Sequence, residues 1–258
     1  MAAKKSQDPD TLSFDEAMSD VDRELWIEAA ELEIHELEAH GVWIEVPLSE
    51  ANGEAIVPAT WVFRRKRSPA GDIKRRKARI CLRGDLMTGI TDTFAPVVAF
   101  STIRMFLILS VLLEHDTCSI DFSNAFVQAV RPKPAYMKIP RGFKSKKPNH
   151  VLKLIRSLYG AKDAPKLWAD LLFDTLRKEG YTQSKCDLCL WYKKDIFLIL
   201  YVDDCGISYK SEELVDALIA SLIKRGFKLT KEGTFAEFLG IQYSATDDGI
   251  HLTQQGPD

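Results

Sequence analysis

The sequence predicts an α+β fold, and three observations carry that expectation. Two apolar, β-branched and aromatic runs meet at adjacent carboxylates in residues 197–209, which reads as a β-hairpin with Asp203 and Asp204 at its tip. A second pair of strand-like runs brackets a turn-forming stretch at 68–72. Segments with helical spacing lie before and between them, so the two kinds of element are interspersed.

Taken in order, the first element is a helix over 13–41. Ser13 and Glu16 form a capping-box pattern, Phe14, Met18, Val21, Leu25, Ala29 and Leu32 recur at helical spacing, and Gly41 ends the run. It reads as one apolar docking stripe with an acidic outer face, a structural element. Strands follow at 42–46 and 60–64, and after the turn a strand over 73–82 carries Lys74, Arg75, Arg76, Lys77 and Arg79. Residues 101–115 read as a helix apolar around most of its circumference and therefore buried. A short strand then ends at Asp121, where a carboxylate emerges at a sheet edge. Further helices are expected near 164–179 and 211–225.

Composition bounds the class. With 258 residues, 46% hydrophobic and 28% charged, the chain can bury a core as one large domain or two small ones. Its longest nearly unbroken apolar run, 105–113, is far short of the roughly 20 residues a bilayer helix needs. Residues 1–20 are polar and lack a signal-peptide core. Five scattered cysteines fit a reducing compartment, and the Cys186–Cys189 spacing lacks a second pair to complete a zinc site.

The net charge of −2 hides segregation. Residues 8–54 hold fifteen acids and one base, 64–83 hold ten bases and one acid, and 131–162 hold ten bases and no acid. A charge run is usually a solvated face, and cations on an edge hairpin also block aggregation. Two basic blocks flanking an acidic site point further, to a polyanion held close to carboxylates that would otherwise repel it.

Adjacent carboxylates are a poor choice for a turn that only reverses direction, since like charges repel. A divalent cation removes the repulsion. Metal-assisted phosphoryl transfer draws oxygen ligands from more than one backbone element, and Asp121, Asp203 and Asp204 offer that set. The five histidines, at 35, 40, 115, 150 and 251, lie apart, and no P-loop or dinucleotide glycine pattern competes.

With these residues in view, the chain resembles the reverse transcriptase domain of Ty1/copia-type retrotransposon Pol polyproteins, from about Glu24 to Gln254. The matching pieces, in order, are Trp26 to Glu38 with Gly41-Val42-Trp43, Trp61 to Lys66, Lys77 to Ile80, Thr93 to Val97, and Thr102-Ile103-Arg104. Asp121 with Ala125-Phe126, Tyr136-Met137, Gly142-Phe143, Leu158 to Lys162 with Ala164-Pro165 and Trp168, Tyr201 to Asp204, and Phe238-Leu239-Gly240 complete the set.

The resemblance implies a right-hand polymerase: an antiparallel palm sheet backed by helices, with a basic fingers region. Residues 1–41 would be an N-terminal acidic helical segment, 42–85 and 131–155 fingers, and 86–130 and 156–244 palm. Residues 245–258 would begin the connection to a thumb that is largely absent. It implies RNA-directed DNA polymerisation, with Asp121, Asp203 and Asp204 binding two Mg²⁺ ions, or Mn²⁺. Lys66 and Arg79 would contact the triphosphate, and Phe126 would gate the ribose 2′-position. Tyr159, Gly160 and Lys162 would meet the template, and Phe238, Leu239 and Gly240 the primer end. The partners implied are an RNA template, a DNA primer and deoxynucleoside triphosphates, in an intracellular, cytoplasmic setting that includes virus-like particles.

The chain departs from the family at Asp163, where Gln is usual, and at Asp85. Asp163 suits a helix N-cap, and an acid beside a phosphate path also lowers activity. A non-catalytic nucleic-acid-binding remnant and an RNA-directed RNA polymerase are the alternatives; the second is expected to tolerate Phe126→Ala.

Overall fold

The computed structural model describes residues 8–68, 70–143, 145, 147–235, 237–239, 241–246 and 249–253. The chain folds as a mixed α/β protein with several antiparallel sheets, in two compact units: 1–93 with 126–167, and 94–125 with 168–258.

In the first unit the basic hairpin forms as the turn chemistry predicts. Ala59–Arg67 pairs antiparallel with Ile73–Leu82, the short strand Thr11–Leu12 adds to the outer side of the first arm, and Ser68 N–H donates to the Asp72 carbonyl at 2.8 Å. Pro69 of the expected turn lies outside the described residues. A second sheet runs Trp43–Pro47, His150–Arg156, Val130–Met137 and Ile56–Val57, antiparallel except for the last pair. Trp26, Trp61, Phe63, Ile80, Met137, Leu152 and Leu154 share one core. Trp61 stacks on Phe63 at 5.5 Å and Trp26 meets Phe63 edge-on at 5.6 Å.

The expected helix over 13–41 is corrected to two, Phe14–Ser19 and Arg23–Ala39. The Ser13–Glu16 capping box is present. The break falls where Asp20 accepts the Asp22 N–H at 2.9 Å and pairs with Arg65, while Asp22 pairs with Arg76 at 2.5 Å. Acid side chains bonding to nearby backbone compete with the helix, and here two distant arginines reward them. The break also moves the buried stripe. Val21, Leu25 and Leu32 are exposed, and Trp26, Glu33 and Leu37 are buried in their place.

The second unit is built on a six-stranded antiparallel sheet. Its order is Thr230–Thr234, Asp116–Asp121, Asp204–Tyr209, Ile196–Tyr201, Leu190–Lys193 and Thr182–Gln183. Helices Phe100–Leu112 and Glu212–Lys224 pack on it, and most of Ala164–Lys178 belongs to the same unit. Gly206 permits close packing inside the sheet: a Cβ there would lie 2.6 Å from the Phe235 ring and 2.9 Å from Ile199.

Helix Phe100–Leu112 corrects a second expectation. It buries Ile103, Phe106, Leu107 and Ser110, but Met105, Ile108, Val111 and Leu112 are exposed. Hydrophobicity all round marks a helix suited to burial; it does not supply a neighbour for every face. Asp187, between the two cysteines of the zinc-like spacing, anchors the start of this helix through the Ala99 N–H at 2.9 Å and the Thr102 hydroxyl at 2.6 Å. No helix among the described residues is long and apolar enough to cross a membrane.

Candidate active site

Asp121 ends the strand Asp116–Asp121, and the pairing register sets it directly opposite Asp204, with Thr230 on its other side. Ile196–Tyr201 and Asp204–Tyr209 are joined by the two-residue loop Val202-Asp203, so Asp204 opens the returning strand instead of sitting in the turn. The three carboxylates therefore come from two neighbouring strand ends and the loop beside them.

Their proximity is visible in electrostatics. Burial, then Asp203, Asp121 and Glu232, push the Asp204 carboxyl up to about 6. Among the described residues, no three His, Cys, Asp or Glu side chains already converge as a metal cage. The donor set still suits a hard divalent cation: every candidate ligand is a carboxylate oxygen, and a cation would relieve the charge that raises Asp204.

The loop is strained. Val202 has φ +54°, in the left-handed region that a β-branched residue rarely enters, at a cost on the order of 1–3 kcal/mol. Two bonds hold it: the Trp168 indole Nε1–H donates to the Val202 carbonyl at 2.6 Å, and the Phe122 N–H donates to the Asp203 carbonyl at 2.8 Å. Neither restraint is announced by the local sequence around 202.

The other expected site residues fall in the first unit, apart from the 238–240 group. Arg79 lies over the Tyr159 ring at 4.8 Å, and Tyr159 meets Phe126 edge-on at 5.3 Å, so three residues far apart in sequence form one stack. The Arg79 Nε is buried without a hydrogen-bond partner among the described residues. Lys66 is exposed and pairs across the hairpin with Arg75. Lys162 Nζ donates to the Met87 carbonyl at 2.8 Å. Gly160 has φ +81°, and a Cβ on it would lie 2.3 Å from the Leu82 carbonyl oxygen, so backbone proximity requires glycine there.

Phe238 is buried against Phe235 at 5.1 Å, and Leu239 has φ +55°. Gly240 lies outside the described residues.

Asp163 is not an unmatched acid. Both its oxygens accept from the Arg131 guanidinium, at 2.8 and 2.7 Å, with the Arg131 side chain only 4% exposed. Asp85 likewise pairs with Arg83 at 2.6 Å, in solvent.

Glu33 is the group that sequence reasoning passed over. It is 6% exposed, accepts the Ile80 N–H at 3.3 Å, and burial pushes its carboxyl up to about 7. Its only sequence signal was an acid on the face that Trp26 and Leu37 share.

A mixed α/β protein with carboxylates gathered at adjoining ends of antiparallel strands is the class that fold and site define. Comparison with known proteins gives the family: residues 42–256 match the reverse transcriptase (RNA-dependent DNA polymerase) family, and the chain belongs to it. It is 31% identical over 240 residues to the retrovirus-related Pol polyprotein from transposon RE1 of Arabidopsis thaliana, covering 90% of this chain and 16% of that one. It is 30% identical over 246 residues to the corresponding polyprotein from transposon TNT 1-94 of Nicotiana tabacum, covering 92% and 18%. The chain thus spans less than a fifth of the length of these relatives.

Proposed function

We propose that this chain is the polymerase portion of a copia-type Pol polyprotein and carries out RNA-directed DNA polymerisation. The observation that carries the reading is the register that sets Asp121 against Asp204, beside the loop bearing Asp203. Asp121, Asp203 and Asp204 are the proposed ligands of two Mg²⁺ ions, which Mn²⁺ can replace. When bound, such ions supply a lowered pKa for an attacking primer hydroxyl and neutralise charge on the phosphates.

Residues 42–85 and 131–155 are proposed as fingers, and 86–130 with 156–244 as palm. Lys66 and Arg79 are the proposed triphosphate contacts; Arg79 offers a guanidinium fork and Lys66 a compact charge. Phe126, edge-on against Tyr159, is the proposed ribose gate, where its ring would meet a 2′-hydroxyl sterically. Tyr159, Gly160 and Lys162 are proposed for the template, and Phe238, Leu239 and Gly240 for the primer end. The Arg131 pairing leaves Asp163 no uncompensated charge to disturb a phosphate path.

Primer extension on poly(rA)/oligo(dT) with Mg²⁺ tests the reading. Extension is expected from the wild type, and Asp203→Asn should reduce it about 100-fold or more, since metal ligation is worth several kcal/mol. No extension by either protein, with salt-sensitive RNA binding retained by both, would identify a binding remnant instead.

A further inference from the structure

The loop that carries Asp203 is held by an aromatic nest. Trp168 is 2% exposed and meets Phe122 at 5.1 Å and Phe227 at 5.9 Å, with Phe122 and Phe227 themselves 5.9 Å apart. From this nest come both restraints on the loop: the Trp168 indole bonds the Val202 carbonyl, and Phe122 bonds the Asp203 carbonyl. Phe122 directly follows Asp121, so the same rings join the strand of one carboxylate to the loop of the next.

The indole bond is not one that this chain gives every buried tryptophan. Trp26 and Trp191 bury their Nε1–H groups without a partner among the described residues. Trp168 spends its single donor on the carbonyl of the one β-branched residue in the left-handed region among the described residues. A left-handed valine persists only where its surroundings fix it, and this bond is aimed at the residue that needs fixing.

We infer that Trp168 is a positioning residue: by bonding the Val202 carbonyl it holds the Val202-Asp203 loop in the conformation that presents the Asp203 and Asp204 carboxylates to a divalent cation. The inference rests on the proposed reading of those aspartates as cation ligands. Residues that orient a metal ligand without touching the metal commonly set affinity by about 10- to 100-fold.

The test is Mn²⁺ binding to the 258-residue chain, followed by electron paramagnetic resonance, with circular dichroism reporting the fold. Trp168→Phe keeps an aromatic ring and removes the donor; it should weaken Mn²⁺ binding about tenfold. Adding Val202→Gly, which adopts positive φ without a tether, should restore most of that affinity. A packing role alone predicts no such rescue, so an unrescued double variant overturns the inference, as does unchanged affinity in Trp168→Phe.

A wild type that binds Mn²⁺ no better than Asp203→Asn overturns the aspartate reading itself, which is a separate result. The wild type offers a check that does not depend on a variant folding. Its Trp168 indole N–H should be protected from hydrogen exchange and should shift in the NMR spectrum as Mg²⁺ is added, with no such shift in Asp203→Asn. An unprotected, unresponsive indole overturns the inference.

Discussion

The two faces of the hairpin Ala59–Arg67/Ile73–Leu82 have similar chemistry in sequence and opposite fates in the structure. On one face lie Trp61, Phe63, Arg65, Arg76, Ala78 and Ile80; on the other lie Val62, Arg64, Lys66, Arg75, Lys77 and Arg79. The first face is packed, and its cations are matched: Arg65 by Asp20 and Arg76 by Asp22, with Arg67 beyond the bulge matched by Asp10. On the second face, none of the five cations has an ion pair among the described residues. Strand parity, not block charge, sorts the cations into those that pair with the N-terminal acidic segment and those without an ion pair among the described residues. Burial first, and then the neighbouring Arg79, push the Lys77 ammonium below its ordinary range, so this face is partly covered as well as cationic.

The packed face should break first. Phe63 is 0% exposed and touches Trp26, Trp61 and Phe14, so Phe63→Ala should cost about 3–5 kcal/mol in urea unfolding. Lys66→Ala on the opposite face should change stability by less than about 0.5 kcal/mol. Equal costs would show that the two faces do not differ in burial.

A pH series sharpens the comparison at the strand edge, where Glu33 meets Ile80. Its carboxyl holds a proton up to about 7 in the folded chain, against an ordinary value of 4.5. Between those values the folded state binds a proton that the unfolded state has released, so stability falls as pH rises and levels off above. The loss should be on the order of 3 kcal/mol, and Glu33→Gln should flatten this part of the profile. Urea midpoints from pH 4.5 to 8 decide it; an unchanged slope in Glu33→Gln would place the titration elsewhere.

Much of this was readable locally. The strand Ile73–Leu82 and the pairing of Ile196–Tyr201 with Asp204–Tyr209 follow from turn residues and β-branched runs, and helices Ala164–Lys178 and Glu212–Lys224 fall within a residue of their expected ends. Asp121 at a strand end and a doubled carboxylate at a hairpin are also short-range patterns. What could not be read joins residues that are distant in sequence. The helix break at Asp20 depends on Arg65, the neutralisation of Asp163 on Arg131, and the Val202 conformation on Trp168. Periodicity likewise showed that helix Phe100–Leu112 is apolar, but which of its sides is exposed among the described residues is a property of the assembled unit.

The smallest expected effect asks whether the matched cations are reserved. Asp22 and Arg76 are about a fifth to a quarter exposed, so their pair should contribute about 1 kcal/mol or less to stability in a double-mutant cycle. Asp22→Asn releases Arg76 without removing it. Because Arg76 lies on the packed face, poly(rA) binding should tighten by less than about threefold, and its dependence on salt should steepen only slightly. Arg79→Ala, on the face without ion pairs among the described residues, should weaken the same binding and lower the salt slope by about one. If Asp22→Asn instead strengthened binding as much as Arg79→Ala weakened it, the packed face would be serving the polyanion too, and the division between the faces would fail.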